Sequence, residues 1–285
     1  MNDINKKIKN QEIKNNNNED LYLWFIHIPK NAGSTITGIF YKNGVLVGRQ
    51  FYNSNLKYLC PSPDNYNLFV SPKYVHKNIS QLVRSDYKGK YFSDVINFWH
   101  LPMRFWKSNY LKYYKNGYVI FCVVRNPYTK IISEFKYWIE YLQKHQRNKK
   151  TIENVMNFYE NDLSMSPENL NKFIVNACNK NNCFSLDGHI LPQYVYVYEN
   201  DNFNSKSKIP HVILKFENLN NDFNSFIKSY KLNINLDEIL NVKTNLSINK
   251  DITINDVTPE NIELIYNYYI NDFKLFGYDK DPHKI

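Results

Sequence analysis

The apolar positions of this chain fall into two kinds of run, and their alternation argues for an α/β domain. Residues 21–28 (LYLWFIHI) and 118–124 (YVIFCVV) are apolar almost throughout and of strand length. That is the pattern of strands covered on both faces of a parallel sheet. Shorter runs of the same kind lie at 95–99 (VINFW) and 211–216 (HVILKF). Between them the apolar residues recur at helical spacing. A short helix is expected from Ser34 to about Tyr41. A longer one begins at Asn126-Pro127, where Asn can cap and Pro can occupy the first helical position. It should run to about His145, with Ile131, Phe135, Trp138 and Leu142 on one face. Further helices are expected near 151–160, 167–178, 219–230 and 258–272. Residues 44–93 are rich in Tyr, Pro and Ser and only weakly periodic, so they read as a loop-rich insertion with one strand-like run at 67–70 (NLFV).

Composition sharpens this picture at the ends and says little about the middle. The first 20 residues hold few apolar positions and a run of Asn, and they read as a disordered tail. Residues 21–285 then form a single domain. The chain carries 36 Lys+Arg against 27 Asp+Glu, a formal net charge of +9. That favours an anionic partner without separating a cofactor from nucleic acid or a membrane surface. Neither an apolar leader core nor a run of about 18 apolar residues is visible, so no membrane span is expected and a cytoplasmic location is. The four cysteines (60, 122, 178 and 183) are too few for a disulfide framework in 285 residues. No His, Cys, Asp or Glu cluster has the spacing of metal ligands, so no metal is expected.

Three strand ends carry candidate chemistry. The first is Pro29-Lys30-Asn31-Ala32-Gly33-Ser34-Thr35, a turn of small residues between a strand and a helix. Small side chains let the backbone approach an anion, and the N–H groups of the following helix would point at it. The order G-x-x-x-x-G-K-[ST] is absent, which disfavours an ATP-type loop with a magnesium-binding hydroxyl. The second strand end is His100-Leu101-Pro102. The third is Arg125-Asn126-Pro127, with Ser133 on the helix behind it. Arginine is scarce here (49, 84, 104, 125 and 147), and its planar fork suits bidentate phosphate binding.

Taken in order, these motifs resemble the sulfotransferases that use 3′-phosphoadenosine 5′-phosphosulfate (PAPS). The likeness is closest to the carbohydrate branch, sulfotransferase family 2. Leu191-Pro192-Gln193-Tyr194, Lys215-Phe216-Glu217-Asn218-Leu219, and Tyr269-Ile270-Asn271-Asp272-Phe273 through Phe276-Gly277-Tyr278 echo further segments of that branch. The likeness spans roughly residues 22–279. It implies a P-loop-like α/β domain with a central parallel sheet flanked by helices. It further implies that Lys30, Asn31, Ala32, Gly33, Ser34 and Thr35 hold the 5′-phosphosulfate, while Arg125 and Ser133 hold the 3′-phosphate. The reaction implied is an in-line transfer of a sulfuryl group from PAPS to an acceptor hydroxyl, that of a glycan, with no metal and no nucleic-acid partner. Lys30 would stabilise the departing phosphate oxygen, and His100 would take the acceptor's proton. Two departures stand out: Asn31 replaces a common Thr, and no counterpart of the Golgi anchor typical of the animal branch is expected.

Each assignment has a plainer rival. Lys30 could be a solvated turn lysine, Arg125 a structural ion-pair partner, Ser133 an ordinary helix serine and His100 a hydrogen-bonded core residue. His27 reads as structural. His189 reads as structural too, with the acceptor cleft as its other placement. At the level of function the rivals are an inactive nucleotide- or polyanion-binding module on the same fold and a P-loop small-molecule kinase.

Overall fold

The two continuous apolar runs become neighbouring parallel strands at the centre of a sheet. In the computed structural model the described residues are 13–14, 20–43, 47–49, 100–106, 108–144, 156, 159–160, 162–179, 186–235 and 251–284. Five strands occur among them: β1 (Ile13–Lys14), β2 (Asp20–Ile26), β3 (Val47–Arg49), β4 (Tyr118–Val124) and β5 (Val212–Lys215). β3, β2, β4 and β5 lie side by side and all parallel, in that order. The short β1 pairs antiparallel with the start of β2, at Leu21 and Asp20. The helices are α1 (Gly33–Lys42), α2 (Ser108–Gly117), α3 (Pro127–Lys144), α4 (Pro167–Ala177), α5 (Tyr194–Val197), α6 (Leu219–Ser229), α7 (Pro259–Tyr268) and α8 (Ile270–Phe276). This is the expected α/β architecture, a central parallel sheet flanked by helices.

The pleat explains why β4, and β2 from Leu21 onward, carry apolar or aromatic residues at every position. Leu23, Phe25, Phe121, Val123 and Leu214 point to one face, where Ile36, Ile39 and Phe40 of α1 and Phe223, Phe226 and Ile227 of α6 cover them. Trp24, Ile26, Ile120, Cys122 and Val124 point to the other, against Leu101, Met103, Trp106 and Leu111. A strand covered on both faces has no solvent side on which to place polar residues. A third apolar cluster lies beyond the strand ends. There Ile131, Phe135, Trp138 and Leu142 of α3 meet Leu170, Phe173 and Ile174 of α4, Ile265 of α7 and Phe273 of α8. The face expected for the long helix is therefore the face it buries.

Three local differences have physical causes. The helix expected at 258–272 is two helices that meet at Tyr269 (φ −101°, ψ 21°). The break turns Asp272 inward, where it is fully buried and accepts from the backbone N–H groups of Gln193 and Tyr194. α2 has no counterpart among the expected elements, because its many Tyr, Lys and Asn residues blur any helical period. β1 and β3 are two and three residues long, below what a periodicity can resolve, and fall in segments expected to be a tail and a loop. The strands expected at 67–70 and 95–99, and most of the helix expected at 151–160, lie outside the described residues.

Candidate active site

The site gathers where parallel strands end, as it does in open α/β sheets generally. β2 releases the chain at Ile26. Lys30 (φ 62°) and Ala32 (φ 61°) then both take the left-handed conformation that non-glycine residues avoid. Each such residue stores about 1–2 kcal/mol of strain, which persists only where the surroundings fix it. Gly33 is needed for a different reason. A side chain there would run into the His27 ring, so only glycine lets α1 begin this close to β2. The first backbone bond of α1 runs from Ile36 N–H to the Ala32 carbonyl at 2.9 Å. The amides of Gly33, Ser34 and Thr35 therefore precede the first intrahelical bond, and the dipole's positive end lies there.

Asn31 faces away from this opening. It is buried, and its Nδ2 donates to the Val123 carbonyl (2.9 Å) and to Gln193 Oε1 (2.6 Å). It holds the loop to β4. Gln193, fully buried, does the same for the next strand end. Its Oε1 accepts from Arg125 N–H at 2.8 Å, and its Nε2 donates to the Arg125 carbonyl at 2.7 Å. One amide side chain thus fixes the backbone of Arg125 and the loop that carries Lys30.

The two cations stand together. Arg125 donates through Nε to Thr129 Oγ1 and through Nη1 to the Lys30 carbonyl, each at 3.0 Å, and its guanidinium lies 4.1 Å from the Phe216 ring centroid. Lys30 Nζ lies 3.9 Å from the centroid of Tyr137. Neither forms an ion pair with a carboxylate among the described residues. Burial lowers the Lys30 pKa and pushes that of Arg125 down to about 10, so Arg125 stays charged at neutral pH. Thr129, Ser133 and Tyr137 follow one another at i, i+4 along α3, a stripe of about 12 Å running from Arg125 to Lys30. Ser133 occupies its middle, half-buried, with its hydroxyl unpaired among the described residues.

His100 lies beside this stripe. Its Nδ1 is 2.7 Å from Asp187 Oδ2, so Nε2 is the nitrogen that any further group must meet. Asp187 reaches it from a left-handed turn (φ 58°, ψ 34°), and Leu186 before it is left-handed as well. The Tyr196 hydroxyl spans the His100 carbonyl (3.0 Å) and the Gly188 carbonyl (3.2 Å), tying the two sides of the pair together. The His189 ring stands edge-on to His100 with centroids 4.6 Å apart, and His27 lies 5.3 Å away on centroids. His189 Nδ1 meets Glu134 Oε2 at 2.9 Å. Burial holds His189 below its ordinary pKa and therefore neutral. Burial alone would raise the Glu134 pKa, but His189 beside it and the nearby charges of Lys130 and Lys30 outweigh that and hold it below its ordinary value. Lys130, buried 3.9 Å from Glu134 Oε1, donates to the His189 carbonyl.

The structure therefore brings Lys30, Ala32, Gly33, Thr35, Arg125, Ser133 and His100 to one end of the sheet. Ser34 there is exposed, and the Asn31 side chain is spent on the frame. His27, read as structural, stands between Gly33 and His100. Sequence reasoning missed Asp187, whose only signal is the turn-forming Asp-Gly step before His189. It also missed the role of Gln193. No described helix is long and apolar enough to cross a membrane. Residues 16–279 match the model of the Sulfotransferase family, family 2. No curated protein and no solved structure matches the chain significantly. The match covers nearly the whole chain, all three strand ends included, and the chain belongs to the sulfotransferase family.

Proposed function

We propose that this sulfotransferase moves a sulfuryl group from PAPS to a hydroxyl of a carbohydrate acceptor. The observation that carries the reading is the pair of partly buried cations, Lys30 and Arg125, neither of them in an ion pair among the described residues. A buried charge left unpaired is unfavourable, and an anionic donor bearing two phosphate groups would complete both. The Lys30 loop with the first amides of α1 suits the 5′ side, and Arg125 with Ser133 suits the 3′-phosphate.

In the reaction a bond forms between the acceptor oxygen and sulfur, while the bond from sulfur to the bridging oxygen of the 5′-phosphate breaks. The acceptor proton passes to Nε2 of His100. Asp187 holds the ring and stabilises the imidazolium that results, the role of the carboxylate in histidine–carboxylate pairs. Negative charge grows on the departing phosphate oxygen. Lys30, on a strained and braced loop, is placed to meet that charge without reorganising. The products are a sulfate ester and 3′-phosphoadenosine 5′-phosphate. Glycans supply the acceptor hydroxyl in this reading because the likeness of the LPQY and KFENL segments is to the carbohydrate branch.

A mass-spectrometric screen tests the reading. The protein would be incubated with PAPS and panels of glycans, small alcohols, lipids and tyrosine peptides, and products gaining a sulfuryl group would be sought. Sulfation of a glycan is expected. Sulfation confined to another panel would refute the acceptor, and failure to bind 3′-phosphoadenosine 5′-phosphate in calorimetry would refute the donor.

A further inference from the structure

One cluster contains more than a proton-transferring pair needs. His100, Asp187 and His189 each offer a ligand atom, and the three atoms lie within 4.8 Å of one another. Two imidazoles and one carboxylate form the donor set of an open tetrahedral zinc site, with the fourth position left for water or substrate. Donors bound to zinc at about 2.0–2.2 Å sit about 3.3–3.5 Å apart. Closing the cluster onto an ion therefore takes side-chain shifts of little more than an ångström. His100 and His189 are buried and Asp187 half-buried, so few waters compete for the same donors.

The surroundings support a metal as well. Glu134 accepts the Nδ1 proton of His189, which fixes the tautomer and leaves the Nε2 lone pair directed away from the carboxylate. Carboxylates behind ligating histidines do the same in zinc sites, orienting the ring and raising its basicity. Glu134 is fully buried against His189, so its carboxylate also offsets part of an added cation's charge. Opposing it are Lys130 at 3.9 Å from Glu134 and the ammonium of Lys30 nearby, which favour a modest affinity.

We propose that His100, Asp187 and His189 bind a divalent transition ion of the zinc type, and that binding reversibly silences the enzyme. Asp187 lies on the Nδ1 side of His100, so an ion shared by these two donors takes the Nδ1 lone pair and leaves the ring proton on Nε2, the nitrogen that would otherwise accept the acceptor's proton. Turnover is therefore lost through the base, while the nucleotide sites at Lys30 and Arg125 remain open. The inhibitory consequence rests on His100 as the base; the binding itself does not.

Metal-free protein titrated with Co²⁺ decides the binding. A tetrahedral site gives visible d–d absorption, displaced by Zn²⁺, and X-ray absorption of the zinc form shows imidazole scattering. His189→Ala should abolish the visible bands. Glu134→Gln, which leaves all three donors, should weaken binding about 10–100-fold. Binding of 3′-phosphoadenosine 5′-phosphate by each variant confirms that it is folded. Absence of visible bands in the wild type, absence of imidazole scattering, or bands that survive His189→Ala would each overturn the proposal. So would zinc inhibition that competes with nucleotide. The titration needs no turnover, so it measures metal binding even in a protein that transfers no sulfuryl group.

Discussion

Replacing Arg125 with Met separates a cation kept for a ligand from one kept for the fold. The variant retains a flexible apolar chain over Phe216 and removes the charge. In the ligand-free protein the guanidinium is largely withdrawn from water and in no ion pair among the described residues, and burial takes its pKa from 12.5 down to about 10. At about 1.4 kcal/mol for each tenfold change in proton affinity, holding it charged costs the fold about 3 kcal/mol. Against that stand its side-chain hydrogen bonds to Thr129 and to the Lys30 carbonyl, each contributing about 1 kcal/mol net. The balance predicts that Arg125→Met is about 1 kcal/mol more stable without ligand, a gain of roughly 2–4 °C in Tm. Ligand binding should move the other way. Loss of a charged hydrogen bond of about 1.5–3 kcal/mol weakens 3′-phosphoadenosine 5′-phosphate about 10–150-fold. An adenosine nucleotide lacking the 3′-phosphate should bind as before. Differential scanning calorimetry and titration calorimetry on the same sample supply both numbers. A Tm lowered by more than about 5 °C, with equal affinity losses for the two nucleotides, would refute the reasoning and make Arg125 a structural residue.

Other variants probe the remaining parts. His100→Ala should reduce turnover about 10²–10⁴-fold with nucleotide affinity unchanged, measured by sulfuryl transfer beside titration calorimetry. Lys30→Ala should lose turnover and nucleotide affinity together, because its charge faces the donor before and during reaction. Gln193→Leu removes four side-chain hydrogen bonds, three of them short and contributing about 1 kcal/mol each, so a scanning Tm about 6–12 °C lower is expected, along with weaker nucleotide binding. Asp272 has a pKa raised to about 6, chiefly by burial. The native state therefore holds its proton more tightly than the unfolded chain, so its contribution is fullest below about pH 4 and is lost as pH rises to about 6, roughly 3 kcal/mol in all. Asp272→Asn should flatten the Tm profile across that window.

The sequence made the sheet centre legible because burial on both faces leaves a mark that needs no partner to interpret. Residues 118–124 read as apolar throughout, and β4 has those same bounds. The start of α3 was legible for a local reason: Asn126 Oδ1 accepts from Tyr128 N–H at 2.9 Å, so cap and proline act within one turn. Long-range geometry left no such mark. Asp187 lies 87 positions from His100, and nothing in its neighbours shows that a left-handed turn aims it there. The break at Tyr269 was hidden because helical periodicity continues through it; what bends the chain is Asp272 satisfying amides of the 193–194 turn. The bracing role of Asn31 was hidden for a related reason. A polar side chain in a tight loop can meet a ligand or brace the loop, and the sequence does not show that Nδ2 is bonded to Val123 and Gln193.

α3 explains how one helix can serve core and chemistry at once. Its residues sort into three stripes at i, i+4 spacing. Ile131 and Phe135 face the apolar cluster shared with α4, α7 and α8. Lys130 and Glu134 form a buried ionic stripe that fixes His189. Thr129, Ser133 and Tyr137 form the stripe along which Arg125 and Lys30 lie. Successive residues differ by about 100° around a helix, so the stripes are neighbours on its surface and cannot be adjusted separately. The core stripe sets the rotation of the helix. That rotation carries Glu134 to His189 and Tyr137 beneath Lys30, so packing remote from the strand ends determines where the site's charges stand.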